Sequence, residues 1–396
     1  MTKLLLIMLA YPIHASADSA LKTFSTLNNA GLLLTNIQGQ PLISKRADQA
    51  FIPASATKLI TAYLALKHWG ADYHFQTKFY FDRSNQTLWI KASGDPFLVS
   101  EELTLIAQQL KTLGLTEIKT IALDVSLFQS KLHTPGAESS DNPYDAVPSA
   151  LAANFNTLSI KKVAGKIYSA EAQTPLTAYA KSLSHRIKKR DFRINTGQSS
   201  HDAERYCAEL LAAFLRQQGV RVADKIVWGK LPALPVFYTH SNSKNLAEVI
   251  RPMLKYSTNF IANQLILVLS AESTQRPANF KEVQNYMQST LTEQFNWQHL
   301  SLKEGAGLSR ANQISPQQLV QLLEAFRPWK HLLPEIETGV YAKSGTLKKV
   351  STLAGYIVNN QQQWHAFALM INQAVPYRFR NRIARELAKE HAPKNN

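Results

Sequence analysis

The run Lys58-Leu59-Ile60-Thr61-Ala62-Tyr63-Leu64-Ala65-Leu66 is rich in alanine and leucine, and no proline or glycine interrupts it before Gly70. Such a segment predicts a buried helix closed by its glycine, so the rest of the chain must supply layers that cover it. Its entrance is Pro53-Ala54-Ser55-Ala56-Thr57-Lys58. Ser55 and Lys58 are three apart, which puts them on one helix face about one turn from each other. A serine in the first turn lies in the positive field of the helix N-terminus, where developing negative charge is favoured. A lysine held on the wall of a buried helix gives up its proton more easily and can serve as that serine's base. Alone, the pattern more often marks a helix-start serine with an exposed lysine one turn on. It needs partners elsewhere.

At 396 residues, with 45% apolar and 18% charged residues, the chain has room for two globular domains or one large domain with an insertion. Residues 1–17 read as a cleaved secretory signal: Lys3, a short apolar run, then Ala15-Ser16-Ala17 as a small-x-small site. The run is too short to span a bilayer. Cys207 is the only cysteine, which excludes an internal disulfide and a lipid-attachment cysteine beside the cleavage site. A soluble, exported protein in the periplasm or cell wall is therefore expected. The net charge of +16 and pI near 9.7 predict a basic surface. Export argues against nucleic acid as its partner and favours anionic lipid headgroups or an acidic wall polymer. The densest basic runs, Arg186–Arg190 and Arg378–Lys389, read first as solvated faces.

Along the chain, Ala30–Gly39 predicts a strand that returns through Pro41 to Lys45. Beyond the buried helix come strands at Thr77–Phe81 and Thr87–Ala92, a helix at Glu101–Leu113 and a strand at Thr120–Val125. His133–Pro148 is a polar loop, Phe155–Ile160 a strand, and Asp202–Gln218 an amphipathic helix closed by Gly219. Leu246–Ser270 predicts two helices broken near Tyr256–Asn259, and Ser315-Pro316 opens another helix. Strands follow at Gly339–Val350, Leu353–Asn359 and Trp364–Asn372, with a closing helix at Arg378–Glu390. The pattern predicts an α/β domain built from both ends of the chain, residues 18–75 and 236–396. An α+β domain, residues 76–235, is inserted into it.

Two further stretches join the serine and lysine. Ser257-Thr258-Asn259 sets a hydroxyl and an amide two apart where the helices break, suited to relaying a proton and holding a substrate carbonyl. Lys343-Ser344-Gly345-Thr346 lies in a predicted strand. Alternation places Lys343 and Gly345 on one face, Ser344 and Thr346 on the other. The glycine lets a substrate backbone approach closely, and the cation with its hydroxyls suits a free carboxylate. Each motif is weak alone. The ordered set S-x-x-K, S-x-N, K-[ST]-G, each in its expected structural context, is specific for β-lactamases and penicillin-binding proteins.

With Gly94-Asp95-Pro96, Asn142-Pro143-Tyr144, Ser149-Ala150-Leu151 and Glu304-Gly305-Ala306-Gly307-Leu308-Ser309-Arg310, the chain resembles the class C low-molecular-mass penicillin-binding proteins, the D-alanyl-D-alanine carboxypeptidase/endopeptidases. The resemblance covers most of the mature chain and implies the serine β-lactamase/transpeptidase fold. It implies Ser55 as acyl-accepting nucleophile, Lys58 as its base, and Ser257 and Asn259 as proton relay and peptide clamp. Lys343, Ser344, Gly345 and Thr346 become the binding strand for the terminal carboxylate, and the N–H groups of Ser55 and Thr346 the oxyanion hole. Peptidoglycan stem peptides are then the substrate and β-lactams covalent inhibitors, with no metal or cofactor.

The chain departs from that pattern in places. Ser257 follows Ser55 by 202 positions, which is short for two inserted domains. About forty residues separate Ile160 from Asp202, too few for a second one, so one insertion is expected to be missing or reduced to a hairpin. The segment before Lys343 lacks a longer glycine-rich loop, and Ser344 stands where threonine is commoner. Asp141 is a candidate for pairing with a diaminopimelate amine, or a turn aspartate. Arg310 lines the cleft or ties down its loop. Asp95 reads as a turn residue and Cys207 as a small core residue. Three rival readings remain at this stage, one of them a basic wall-binding protein whose motifs are coincidental. A β-lactamase would need a dedicated water-activating base, which has no evident candidate. A non-catalytic β-lactam or peptidoglycan sensor would keep the pocket without turnover.

Overall fold

In the strand Ala30–Thr35, Leu32 and Leu34 point to one side and Leu33 to the other, yet all three are buried. A strand apolar on both faces must lie inside a sheet covered on both sides. The computed structural model, which describes residues 19–186, 191–298 and 300–390, shows that arrangement. Six antiparallel strands run in the order Glu335–Glu337, Val340–Leu347, Val350–Val358, Trp364–Ile371, Ala30–Thr35 and Pro41–Lys45. The two ends of the chain thus meet in one sheet, with Ala30 opposite Ile371 and Leu33 opposite Ala368.

On one face Leu32, Leu34, Leu353 and Ile357 pack against Phe24 of the helix Ala20–Ser25 and against Phe379, Ile383 and Leu387 of the helix Phe379–Glu390. Glu386 ties these two helices together, accepting from Ser19 Oγ and from the N–H groups of Ala20 and Leu21 at 2.7–2.8 Å. Leu33, Ala354, Tyr356, Ala366 and Ala368 face the larger core, which holds the helices Lys58–Trp69, Asn259–Thr274 and Pro316–Phe326. Every residue from Lys58 to Leu66 is buried, and Gly70 closes the helix at φ 81° with its N–H on Leu66 O. The sheet and this central helix are what hold the motif strand beside the serine.

Residues 74–245 build the remaining sheets. Ile226–Trp228, Thr120–Asp124, Thr87–Lys91, His74–Asp82 and Tyr238–Asn245 form a mixed five-stranded sheet in that order. The helices Ser100–Thr112 and Ser200–Gln217 pack on each other beside it. Between Ile160 and Asp202 lie a hairpin partner, Lys166–Ser169, and the strand Asp191–Asn195, both paired to Thr157–Val163. No helix among the described residues is long and apolar enough to cross a membrane.

The structure corrects several expectations. Ser55 lies in a 3-10 turn, Ala54–Thr57, and the α-helix begins only at Lys58. The strand expected over Gly339–Val350 ends at Leu347, and a turn at Lys348-Lys349, with Lys349 at φ 59°, starts the next strand at Val350. The strand expected from Phe155 starts at Thr157, because Asn154, Phe155 and Asn156 take positive φ in a tight turn. Helices at Ala20–Ser25 and Phe280–Phe295 and the strand Tyr238–Asn245 were not anticipated. The proposed signal, residues 1–17, and the basic residues 187–190 lie outside the described residues.

Candidate active site

The serine's backbone is fixed before its side chain is considered. Asn372 grips Ile52 from both sides, its Oδ1 accepting from the N–H at 2.8 Å and its Nδ2 donating to the carbonyl at 3.2 Å. Thr352 Oγ1 donates to Pro53 O at 2.7 Å, and Thr57 Oγ1 to Ala54 O at 2.9 Å. Ala54 takes φ 48°, a left-handed conformation that a non-glycine residue keeps only when its surroundings enforce it. These clamps wind the entry into a 3-10 turn and set Ser55 at the mouth of the buried helix.

Lys58 Nζ, fully buried, stands 3.2 Å from Ser55 Oγ, 2.7 Å from Asn259 Oδ1 and 2.6 Å from Ala306 O. Burial, helped by the nearby Lys343 cation, pushes this amine well below the usual lysine range, while Glu304 opposes the shift. A neutral amine has two hydrogens and one lone pair. Two carbonyl oxygens are in place for the hydrogens, which leaves the lone pair for the Ser55 hydroxyl.

The second motif sits where two helices meet. Ser257, half-buried, ends the helix Leu246–Tyr256 in a left-handed conformation at φ 60°; Thr258 is extended, and Asn259 begins the next helix. That single reversal carries Asn259 to Lys58, while its Nδ2 donates to Tyr144 O at 3.1 Å. The polar loop around Asn142-Pro143-Tyr144 is thereby tied to the site, with Tyr144 exposed on it.

The third motif occupies the strand Val340–Leu347, with Gly345 opposite Thr352 and Thr346 opposite Ser351. Lys343 and Gly345 are buried, Ser344 is half-buried and Thr346 exposed, as alternation requires. A Cβ on Gly345 would lie 2.6 Å from Pro53 O and 2.9 Å from Ser55 N. The absent side chain is what lets the strand reach the serine. Lys343 Nζ donates to Ser344 O at 2.7 Å, and burial, then the Arg380 charge, lowers its pKa to about 8.

Glu304, Arg380 and Tyr144 were not singled out by sequence as site residues. Glu304 is fully buried, and its carboxylate accepts from the N–H groups of Ala306 and Gly307 at 2.8 Å, Ser309 at 3.2 Å, and Asn312 Nδ2 at 2.9 Å. It shapes the loop whose Ala306 carbonyl holds Lys58. The glycine-rich run 304–307 was visible; nothing local says that its carboxylate folds back onto the loop. Arg380, one of several cations on the last helix, resembled a solvated residue.

Two candidates are engaged elsewhere in this structure. Asp141 Oδ1 accepts from Arg186 Nε at 2.7 Å and from Nη2, so one of its oxygens is already paired. Arg310 Nη2 donates to Lys348 O at 2.6 Å, tying its loop to the turn after the Lys343 strand. Asp95 is buried, accepting from Phe97 N–H and Asn242 Nδ2 at 2.8 Å, with its pKa raised to about 6 by burial. Cys207 is buried and its thiol pushed up by desolvation. A recess of about 580 Å³ opens beside Thr258, lined by Phe97, Phe155, Phe260 and Arg193; none of the five catalytic candidates faces it.

The geometry can be set beside known proteins. The family described as D-Ala-D-Ala carboxypeptidase 3 (S13) matches residues 14–336 and 332–390. D-alanyl-D-alanine carboxypeptidase DacB of Haemophilus influenzae is 24% identical over 437 aligned positions, covering 90% of this chain and 90% of its own. The D-alanyl-D-alanine carboxypeptidase of Actinomadura sp. (strain R39) is 24% identical, covering 84% of this chain and 76% of that one. Among solved structures, penicillin binding protein 4 from H. influenzae superposes with a TM-score of 0.77 at 23% identity, covering 94% of this chain and 98% of that one. A predatory peptidoglycan endopeptidase from Bdellovibrio bacteriovorus gives 0.55 at 14% identity, with 92% of each chain covered. These structures share the fold, an α/β transpeptidase-like arrangement. Because the family match runs through all three motifs and both halves of the central sheet, the chain belongs to the D-Ala-D-Ala carboxypeptidase 3 (S13) family.

Proposed function

We propose that this protein is a serine DD-peptidase acting on peptidoglycan stem peptides: a D-alanyl-D-alanine carboxypeptidase, with DD-endopeptidase action on cross-links as a second activity of the same site. One observation carries the reading: a buried lysine amine 3.2 Å from the Ser55 hydroxyl, with two carbonyl oxygens placed to take its hydrogens. Ser55 Oγ attacks the carbonyl carbon of the penultimate D-alanine as its proton passes to Lys58. The resulting oxyanion lies between the N–H groups of Ser55 and Thr346, a pairing supported by the close approach of Gly345 to Ser55 N. Collapse breaks the C–N bond, and the leaving amine takes a proton delivered through Lys58 and Ser257. Water then attacks the acyl-serine, giving its proton to Lys58, which passes it to Ser55 Oγ as the ester C–O bond breaks and the shortened peptide leaves.

In this reading Asn259 aligns Lys58 and the substrate amide, while Lys343, Ser344 and Thr346 receive the terminal carboxylate. Asp141 and Arg310 are weaker substrate contacts, since Arg186 and the Lys348 carbonyl hold them in the free protein. Residues 18–75 and 236–396 make the catalytic domain, with 76–235 as its insertion and the second insertion reduced to the hairpin Thr157–Ser169. Residues 1–17 direct export, and the basic surface meets anionic wall polymer or lipid. β-Lactams acylate Ser55. The H. influenzae relatives, one named a carboxypeptidase and one solved with a β-lactam, support this assignment.

The test is to incubate the mature protein and Ser55→Ala with a fluorescent penicillin, then assay stem pentapeptide and cross-linked muropeptide. A covalent band on wild type and none on the variant, with D-alanine released, is expected. Labelling without turnover would favour a sensor, and no labelling would overturn the proposal.

A further inference from the structure

The basic run Arg378–Lys389 divides in two once it is folded. Later cations have partners: Arg382 lies over the Phe379 ring at 5.4 Å, and Arg385 pairs with Glu337 at 3.3 Å. At its beginning, Arg378 makes no ion pair among the described residues, and neither does Lys349 in the turn after the strand Val340–Leu347. Both hold left-handed backbones, at φ 58° and 59°. Arg380 spends Nη1 on Gly345 O at 2.5 Å and Thr346 Oγ1 at 2.7 Å, and no carboxylate among the described residues pairs with it. These three cations line one recess of about 440 Å³, and no acidic residue lines it. Arg310, through its bond to Lys348 O, adds a further positive charge beside the same turn.

The first turn of the helix Phe379–Glu390 carries Arg380 and Arg382 and no acidic residue, the reverse of what its dipole favours. Like charges gathered without an anion repel one another, and a negatively charged ligand relieves that repulsion. Two guanidinium forks and an ammonium suit the several oxygens of a phosphate group. Tyr377, 88% exposed, stands at the edge of the recess with the Arg378 guanidinium 5.6 Å from its ring centre, and Val375 and Pro376 line the recess beside it. A ring with an apolar body and a polar tip, set among cations, is the composition of a surface that meets lipid headgroups. A dissolved polymer offers that ring no apolar phase to enter.

We infer that the recess formed by Lys349, Arg378 and Arg380 binds the phosphate groups of anionic phospholipids, with Tyr377 entering the headgroup layer beside them, so that the protein works seated on a membrane surface. The inference deepens the reading that the basic surface meets wall polymer or lipid, committing it to lipid and to one face. It is independent of the chemistry at Ser55.

The test is co-sedimentation of the mature protein, without the apolar residues 1–17, with mixed phosphatidylglycerol/phosphatidylcholine vesicles and with phosphatidylcholine vesicles alone, beside titration with inorganic pyrophosphate. Wild type is expected to bind the anionic vesicles, more weakly as salt rises, and not the neutral ones. Lys349→Ala with Arg378→Ala should lower the vesicle affinity about 25-fold, roughly fivefold for each cation, with the unfolding midpoint unchanged. Tyr377→Ala should weaken vesicle binding and leave pyrophosphate binding as it is. Lys162→Ala with Lys166→Ala, an equal loss of charge on the hairpin of the inserted domain, should change vesicle affinity by no more than about twofold. Pyrophosphate binding without vesicle binding would make the recess a site for soluble phosphate and overturn the lipid assignment. Equal losses in the two charge variants, or none in either, would overturn the recess and leave only a diffusely basic surface. Wild type that binds neither the anionic vesicles nor pyrophosphate would overturn the inference and the lipid reading of that surface together.

Discussion

Gly345→Ala tests most directly whether the binding strand and the serine form one site. The substitution adds a single methyl, and Gly345 does not use the left-handed backbone region, so the cost is steric rather than conformational. The new Cβ would lie 2.6 Å from Pro53 O and 2.9 Å from Ser55 N, where ordinary contacts begin near 3.4 Å. Thr352 Oγ1 is in the way as well, and turning it aside breaks its bond to Pro53 O. Strand and serine turn must therefore part by roughly 0.5–0.8 Å, a displacement large enough to spoil a preorganised oxyanion site. Overpacking should cost about 1–3 kcal/mol of stability. Losing one well-aimed oxyanion donor should cost about 10²–10³ in acylation rate. Stopped-flow acylation by a reporter penicillin, beside urea unfolding of the same sample, measures both. A folded Gly345→Ala protein that acylates at the wild-type rate would refute the claim that closeness of Gly345 to Ser55 N creates the oxyanion site.

Other outcomes follow from the same geometry. Glu304→Gln removes the negative charge that holds the Lys58 pKa up, so the acid limb of the acylation pH profile should move to lower pH; a shift upward would contradict the assignment. The same variant turns a buried amide toward N–H donors and should lose about 1–3 kcal/mol in denaturant unfolding. Lys343, with its pKa lowered to about 8, is charged below that pH and neutral above it. KM for the free-carboxylate peptide should therefore rise as pH passes about 8, and a flat KM up to pH 10 would argue against this role. Lys45 Nζ donates to the carbonyls of Phe24, Ser25 and Leu27 at 2.7–2.9 Å, far from the chemistry. Lys45→Met should cost about 1–3 kcal/mol of stability with acylation per folded molecule unchanged.

Several features were legible because they depend on short-range pattern. The apolar run 58–66 could only be a covered helix, alternation in 343–346 set which side chains share a face, and the break at 256–259 followed from local polarity. The ordered motifs then named the chemistry, since few other arrangements use serine, lysine and asparagine at those spacings. What stayed hidden depends on partners far along the chain. The 3-10 turn at Ser55 exists because Asn372, Thr352 and Thr57 clamp Ile52, Pro53 and Ala54, and two of those three lie about 300 residues away. Strands such as Tyr238–Asn245, with serine and asparagine at half their positions, form because a neighbour offers its edge rather than from their own propensity. Glu304 and Arg380 are the same case in charge. A carboxylate buried by its own loop and an arginine reaching across a strand look in sequence like any surface ion. The residue types of the three motifs are written in the chain; the lowered pKa of Lys58 and the close approach of Gly345 to Ser55 N arise only when distant segments pack together and exclude water.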